Sequence, residues 1–192
     1  MAFENLKMKL TGVAPLLMHN GQLADPTNKH AKAMKEISSR RKKTEADFLE
    51  LKRAEWFGGL YLDESNQIAI PADLVLAIVI GGAKKNKNGS EAKAGIYEAQ
   101  PFFKLEYDGA KDINKLFDDE RFVDYRGVKV GQSRVMRTRP IFKKWSTTVE
   151  VMIDEEIIDT KQVVQAFIAA GERVGLGDFR PRFGRFIAEK VK

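Results

Sequence analysis

The chain has 192 residues, of which 43% are apolar and 31% charged. This composition predicts one folded domain over residues 1–192 and excludes a disordered polymer or a collagen-like repeat. Cysteine is absent and histidine occurs twice, so disulfides, thiolate metal sites and cysteine nucleophiles are excluded, and we expect neither a metal nor a cofactor. The longest apolar run, residues 74–80, is too short to span a bilayer, and the first residues show no signal peptide. We therefore expect a cytoplasmic protein that does not engage a membrane.

The first third of the chain predicts a strand followed by helices. Residues 6–10 alternate apolar and polar side chains, which is the period of a half-buried strand. A loop rich in proline, glycine and asparagine follows. Residues 29–57 are mostly good helix formers and predict a helical insertion. Its middle, residues 38–43, has no apolar face and is either an exposed helical turn or a break before a new helix capped by Thr44 and Asp47.

The middle of the chain predicts a hairpin, a buried helix and a loop. Residues 60–70 read as a hairpin, and Pro71 opens a helix whose residues 74–80 are apolar on every side. Residues 84–95 hold lysine, glycine and asparagine with almost nothing to bury, so we expect a mobile basic insertion there.

The last part of the chain predicts further strands around one helix. Strand patterns cover residues 101–107, 122–130, 135–139 and 145–153, a helix begins after Asp159, and a final strand follows Arg185. Because strand–helix–strand order occurs twice, we expect an α+β fold: a ferredoxin-like antiparallel sheet with helices on one face and inserted loops.

The formal net charge of +6 favours a polyanionic partner, and its distribution is informative. Residues 125–149 contain no acidic side chain. The cations of this stretch are Arg126, Lys129, Arg134, Arg137, Arg139, Lys143 and Lys144. Arg137 and Arg139 are two residues apart, so on a strand they point to the same face and form a ridge that would follow a phosphate backbone. A solvated hairpin is the alternative interpretation.

A glycine-rich segment between the last helix and the last strand is the most specific local pattern. Residues 174–186 combine glycines that permit close backbone approach with three arginines interleaved with phenylalanines, which offer cations beside stacking surfaces. The residues expected to hold phosphates are Gly175, Gly177, Arg180, Arg182 and Arg185. The alternative is a helix C-cap with core phenylalanines and solvated arginines.

Three segments together resemble the RAMP superfamily of CRISPR systems. They are the glycine-rich loop ending at Gly184-Arg185-Phe186, the segment Gly12 to Leu17 after the first strand, and the segment Ile70 to Leu74 before the buried helix. The match is closest to the backbone subunits that coat a guide RNA, although this chain is short for such a subunit. The resemblance implies an RRM-like ferredoxin fold that binds single-stranded RNA with little sequence preference and polymerises along it. A compact or viral relative that binds single-stranded DNA fits the chain length equally well.

Our leading hypothesis is a non-enzymatic binder of single-stranded nucleic acid, with RNA favoured over DNA. Copies would assemble side by side along the strand, with other ribonucleoprotein subunits as further partners, and Lys84, Lys85 and Lys87 would close over the ligand. The first alternative is a metal-independent RAMP-type endoribonuclease in which His19 or His30 is the general base. The second is a structural assembly protein whose basic face binds an acidic protein.

Overall fold

The computed structural model describes residues 3–191. The strands are β1 (Phe3–Gly12), β2 (Leu16–Leu17), β3 (Ala69–Pro71), β4 (Ile96–Glu98), β5 (Phe102–Tyr107), β6 (Val123–Val130), β7 (Ser133–Phe142), β8 (Trp145–Asp154) and β9 (Phe186–Lys190). The α-helices are α1 (Lys29–Ser39), α2 (Glu45–Gly59), α3 (Ala72–Lys85), α4 (Gly89–Gly95), α5 (Ile113–Phe117) and α6 (Thr160–Arg173). Short 3-10 turns occupy Gly21–Ala24 and Glu120–Phe122.

The chain forms two compact units, each with most of its residue contacts inside the unit. The first unit contains residues 1–16, 62–108 and 143–192, and the second contains residues 17–61 and 109–142. The chain therefore passes between the units four times. That the whole chain behaves as a single domain stays a prediction.

The first unit is built on an antiparallel sheet of the order β3-β5-β8-β1-β9, with β4 paired to β8. Its elements β1, α3, β5, β8, α6 and β9 follow one another in the βαββαβ order of the ferredoxin-like fold, which confirms the predicted fold class. In β1, Leu6, Met8 and Leu10 are fully buried, whereas the alternate residues face solvent. The sheet thus has one apolar face, as a half-buried antiparallel sheet requires.

Helices α3 and α6 pack against each other and bury the apolar side chains of the first unit. Val75 and Val79 of α3 and Val163 and Phe167 of α6 are at most 1% exposed. The backbones approach closely at Gly82, where a Cβ atom would lie 2.0 Å from a carbonyl oxygen of α6. Only glycine allows this separation, so the sequence pair Gly81-Gly82 sets the distance between the two helices.

The second unit contains helices α1, α2 and α5 and a small sheet of the order β2-β7-β6. The capping box predicted at Thr44 and Asp47 is present and begins α2, so the helical insertion over residues 29–57 consists of two helices with a break between them. Trp56 of α2 is fully buried, and its indole N–H donates to the carbonyl oxygen of Phe122 at 2.9 Å. This bond ties α2 to the segment that enters β6.

The prediction of a basic loop over residues 84–95 is wrong for most of its length. Lys84 and Lys85 form the last turn of α3, and residues 89–95 form α4, so only residues 86–88 connect helices. The reason is tertiary: Ala92 is fully buried, and a Cβ atom at Gly95 would meet Ile157 and Ile158 at 3.0 Å. Two small residues suffice to dock this short helix, and they leave no apolar periodicity in the sequence.

Candidate nucleic-acid interface

The glycine-rich loop of the first unit is attached to the segment that follows β1. The amide of Gly184 donates to the carbonyl of Pro15 at 2.8 Å, and the amides of Val13 and Ala14 donate to the carbonyl of Arg185 at 2.9 and 3.2 Å. Within the loop, the amide of Leu176 donates to the carbonyl of Gly184 at 2.8 Å. Two of the three segments that carry the RAMP resemblance therefore form one hydrogen-bonded substructure.

Three glycines give this loop its path. Gly175, Gly177 and Gly184 have φ angles of +79°, +81° and +72°, in the left-handed region that side chains rarely adopt. At Gly184 a Cβ atom would also lie 1.7 Å from the carbonyl oxygen of Leu176. Glycine is therefore required at these positions by the backbone conformation of the loop, whether or not the loop holds phosphates, because the loop cannot fold back on itself with larger residues.

The loop presents its arginines outward and its apolar anchors inward. Arg180, Arg182 and Arg185 are exposed, whereas Leu176 and Phe186 are buried. Phe179 is 41% exposed and packs edge-on against Phe183, with 5.8 Å between ring centroids. The loop therefore combines solvent-facing guanidinium groups with an aromatic ring held in place by another ring, which is the chemistry expected of a surface that stacks bases beside phosphates.

A cleft of about 690 Å³ places the lysines of α3 beside this loop, within the first unit. The cations of its lining are Lys84, Lys85, Arg173 and Arg180, and the same lining includes Gly177, Asp178 and Phe179. Lys84 and Lys85 are exposed, and the backbone at Gly89 passes close to the first of them, since a Cβ atom there would lie 2.5 Å from Lys84 Cγ. Lys87, exposed just after α3, is absent from the lining. Sequence reasoning did not select Arg173, although its position at the end of α6, just before the glycines, indicates it.

A cleft with this lining attracts anions, although two helix C-termini next to it carry partial negative charge. Both α3 and α6 direct their C-termini toward it, where backbone carbonyls carry partial negative charge. Cations at helix C-termini offset that charge, which is one reason for lysine and arginine at these positions. Four cationic side chains against the single carboxylate of Asp178 still leave the lining with an excess of positive charge. Phosphate groups are suitable ligands for such a surface.

In the second unit, strands β6 and β7 form the hairpin that carries much of the acid-free stretch. The register pairs Lys129 with Arg134 and Arg126 with Arg137. The outer part of this hairpin, from residue 128 to residue 136, is largely exposed, including Lys129 and Arg134, and its apolar Val130 and Met136 are about half exposed. A hairpin tip with cations and apolar side chains is able to contact both phosphates and bases.

The inner part of the same hairpin is packed, and its arginines have partners. Glu55 of α2 is 4% exposed; it accepts a hydrogen bond from Arg137 Nη1 at 2.9 Å and one from the main-chain amide of Thr138 at 2.7 Å. Arg139 is buried at 8% exposure, and Arg126 forms an ion pair with Asp124. The predicted ridge of Arg137 and Arg139 therefore faces the interior of its unit, while the exposed cations lie at the tip.

The remaining predicted residues occupy separate positions. Lys143 and Lys144 are exposed in the turn between β7 and β8 and belong to the first unit. His19 is half-buried in the second unit, and its carbonyl accepts from the Tyr61 hydroxyl at 3.0 Å. His30 lies in the first turn of α1, and its pKa is lowered mainly by burial and also by the nearby charge of Lys29. A role of either histidine in cleavage stays a prediction.

Over residues 3–191, no group of three or more histidine, aspartate or glutamate side chains is placed to hold a metal ion. Over the same residues, no helix has the length and hydropathy that crossing a bilayer requires.

Comparison with known proteins bears on the fold. No protein-family model matches this chain, and no curated protein sequence matches it. Among solved structures, the chain is similar to a chain in the cryo-EM structure of the Type III-B Cmr-beta assembly bound to cognate target RNA, with a TM-score of 0.50 and 14% sequence identity. The alignment covers 99% of this chain and 59% of that one.

This similarity confirms the α+β, ferredoxin-like fold. That the chain belongs to the RAMP superfamily stays a prediction from the sequence. The chain spans about 59% of the length of that structural neighbour. At 14% identity the similarity concerns the arrangement of helices and strands. The function therefore has to be argued from the side chains of this chain.

Proposed function

We propose that this protein is a non-catalytic binder of single-stranded nucleic acid, with RNA preferred over DNA and with little dependence on sequence. Copies assemble side by side along the strand, in a ribonucleoprotein that includes other subunits. The fold shared with a chain of the RNA-bound Type III-B Cmr-beta assembly supports this proposal. The preference for RNA rests on that neighbour and on the RAMP resemblance.

The cleft of the first unit is the observation that carries the proposal. Lys84 and Lys85 are separated from the glycine-rich loop by about 90 residues of sequence, and the fold brings them to one surface. Flexible ammonium groups and planar guanidinium groups bind phosphate oxygens, while the exposed ring of Phe179 is available to stack on a base. None of these contacts reads the hydrogen-bonding edge of a base, so binding should depend weakly on sequence.

The tip of the β6–β7 hairpin provides a further set of contacts in the second unit. Lys129 and Arg134 form a cross-strand pair of like charges, an arrangement that costs stability unless an anion lies near it. Their exposed apolar neighbours Val130 and Met136 suit unpaired bases better than a duplex, whose bases are stacked inside. This composition favours a single strand as the ligand.

Fluorescence anisotropy tests the proposal. Labelled 20-nucleotide RNA, DNA and RNA duplex are titrated with protein at two salt concentrations. We expect the tightest binding to single-stranded RNA and a steep loss with salt, because each phosphate contact on a single strand contributes a slope of about 0.7 to the dependence of log K on log salt. Failure to bind any of the three nucleic acids would refute the proposal.

A matched pair of variants separates the cleft from total charge. Replacing Lys84, Lys85 and Arg180 by glutamine should weaken RNA binding about tenfold or more at moderate salt. The control replaces exposed lysines away from the cleft, Lys93, Lys111 and Lys161, and removes the same charge. Equal losses in the two variants would show that net charge, and not the cleft, binds RNA.

Assembly along the strand is tested by mass photometry with RNAs of 10, 20 and 40 nucleotides. We expect the number of bound copies to grow in proportion to RNA length, with few partly filled strands if neighbouring copies contact each other. One copy per RNA at every length would contradict the assembly part of the proposal and leave the binding part intact.

A further inference from the structure

The net charge of this protein is concentrated in one short segment of the second unit. Residues 29–43 contain seven lysines and arginines and a single glutamate, which gives them a net charge of +6. The whole chain also has a net charge of +6, so all other residues together balance, with 26 basic against 26 acidic side chains. The segment comprises helix α1 and the loop that joins it to α2.

Three lysines of this segment lie on the solvent side of α1. Lys29, Lys32 and Lys35 are spaced three residues apart and are exposed. At 100° per residue they lie roughly opposite the buried Ile37 and the half-buried Met34. They span about 9 Å along the helix axis at 1.5 Å per residue. α1 therefore presents a row of ammonium groups to solvent.

Over the described residues, the arginines and lysines of the following loop divide into those with partners and those without. Lys43 donates to the carbonyl of Arg40 at 3.0 Å. Arg40 has carboxylate partners: it pairs with Asp47, with Glu36 at 3.7 Å and with Glu50 at 3.9 Å, and it fixes the loop to α2. Arg41 and Lys42 are exposed, and within residues 3–191 no carboxylate lies within 4.0 Å of them or of the three lysines of α1. We call Lys29, Lys32, Lys35, Arg41 and Lys42 the α1 basic face.

The composition of the α1 basic face indicates which polyanion it fits. Residues 29–43 contain no phenylalanine, tyrosine, tryptophan or leucine, so this segment has no ring for stacking on bases and none of the large apolar side chains with which amphipathic helices enter a lipid surface. Protein interfaces are centred on buried apolar or aromatic anchors, and this segment exposes none. What remains is a row of flexible point charges, which suits the sugar-phosphate backbone of a nucleic acid.

We propose that the α1 basic face binds the phosphate backbone of the nucleic acid, independently of its bases and in addition to the cleft and the hairpin tip. This inference rests on the proposed function, because it names a further contact of the same ligand. The cleft and the hairpin hold apolar and aromatic side chains next to their cations, whereas the α1 basic face holds cations alone. It adds affinity and salt dependence and contributes nothing to base preference.

The test is the salt dependence of binding to strands with and without bases. The probes are 20-mers of uridine, of adenosine and of abasic sugar-phosphate. Replacing Lys29, Lys32 and Lys35 by glutamine, which preserves helix propensity, should lower the slope of log K against log salt by about two on every probe. The ratio of wild-type to variant affinity should be the same for the three probes. The Lys93, Lys111 and Lys161 variant is the charge-matched control and should retain the wild-type slope.

Each outcome has a defined meaning. If the wild type binds and the α1 variant keeps the wild-type slope, or if the control variant loses as much, the inference is overturned and the proposed function stands. If the loss occurs on the base-containing probes and is absent on the abasic probe, the α1 basic face reads bases and the inference is overturned as well. If the wild type binds no probe, the proposed function fails first. Circular dichroism of the variant verifies that α1 remains folded.

Discussion

The buried ion pair of Glu55 and Arg137 should stabilise the second unit. Hydrogen bonds to charged groups contribute about 1.5–3 kcal/mol each, and Glu55 accepts one from Arg137 and one from the amide of Thr138. A third of the Arg137 side chain is exposed, so its contribution is discounted for solvent screening. We expect Glu55→Ala to lower the free energy of unfolding by about 2–4 kcal/mol.

The partner substitution tests whether Arg137 acts through Glu55. Arg137→Gln leaves a buried carboxylate without its counter-charge and should cost about 1–3 kcal/mol. A double-mutant cycle with Glu55→Gln should give a coupling energy of about 1 kcal/mol. Arg134→Gln is the control on the same strand, and because that side chain is exposed it should change stability by less than about 0.5 kcal/mol.

Urea unfolding followed by tryptophan fluorescence measures these differences. Trp56 is next to Glu55 in the chain and is buried in the same unit, so its emission reports on the affected region. A coupling energy near zero, or a fully stable Arg137→Gln variant that has lost RNA binding, would refute the structural role and assign Arg137 to the ligand. A charge-reversing substitution of Arg137 is a poor probe of ligand binding, because it would place a second carboxylate beside the buried Glu55 and destabilise the second unit.

Three other expectations follow from the geometry. Gly184→Ala should lower the free energy of unfolding by about 3 kcal/mol or more, because Gly184 has a positive φ and a Cβ atom there would lie 1.7 Å from a carbonyl oxygen. Gly21→Ala is the control and should change the free energy of unfolding little, because a Cβ atom there would meet nothing within 4 Å. Equal effects of the two substitutions in thermal melts would contradict this expectation. Burial lowers the pKa of His30 below its ordinary value of 6.5. The contribution of His30 to the free energy of unfolding should therefore be fully present above about pH 6.5 and be lost as the pH falls from there through the folded-state pKa. A His30→Gln variant should lose less stability than the wild type between about pH 7 and pH 5, and identical pH profiles of the two proteins would contradict this expectation. When the protein is labelled with 5-fluorotryptophan, ¹⁹F spectra give one signal for Trp145 in the first unit and one for Trp56 in the second. If both signals show the same unfolding transition in urea, the single-domain prediction is supported, and if the transitions are separate, it is rejected.

The sequence predicted secondary structure best where it contains a periodic pattern of apolar residues or a helix-capping pattern. The alternation in β1 and the capping box of α2 predicted elements that the structure contains. Helix α4 could not be found in this way, because its docking depends on a buried alanine and not on an apolar stripe. A two-residue period places Arg137 and Arg139 on one face but cannot say what covers that face, since Glu55 comes from a helix 82 residues away.

The candidate site shows the same limit. Glycines, arginines and phenylalanines in residues 174–186 indicate a nucleic-acid-binding loop, and the lysines near residue 84 are predicted to close over the same ligand. That Arg173 lines the same cleft depends on where α6 ends. The concentration of net charge in residues 29–43 is visible only when the charges of the rest of the chain are counted. Sequence patterns identify the types of residue, whereas the fold decides which of them share a surface.

The central position of β1 has a consequence for synthesis of the protein. This strand is made before its two neighbours in the sheet, β8 and β9. Leu10 can therefore pair with Thr147 on one side and Ala188 on the other only after those later strands have been made. Until residue 190 has left the ribosome, β1 has at least one unpaired edge, and edges of this kind are prone to aggregate. The attachment of Gly184 to Pro15 forms equally late. A nascent chain therefore lacks the cleft until the glycine-rich loop has been made.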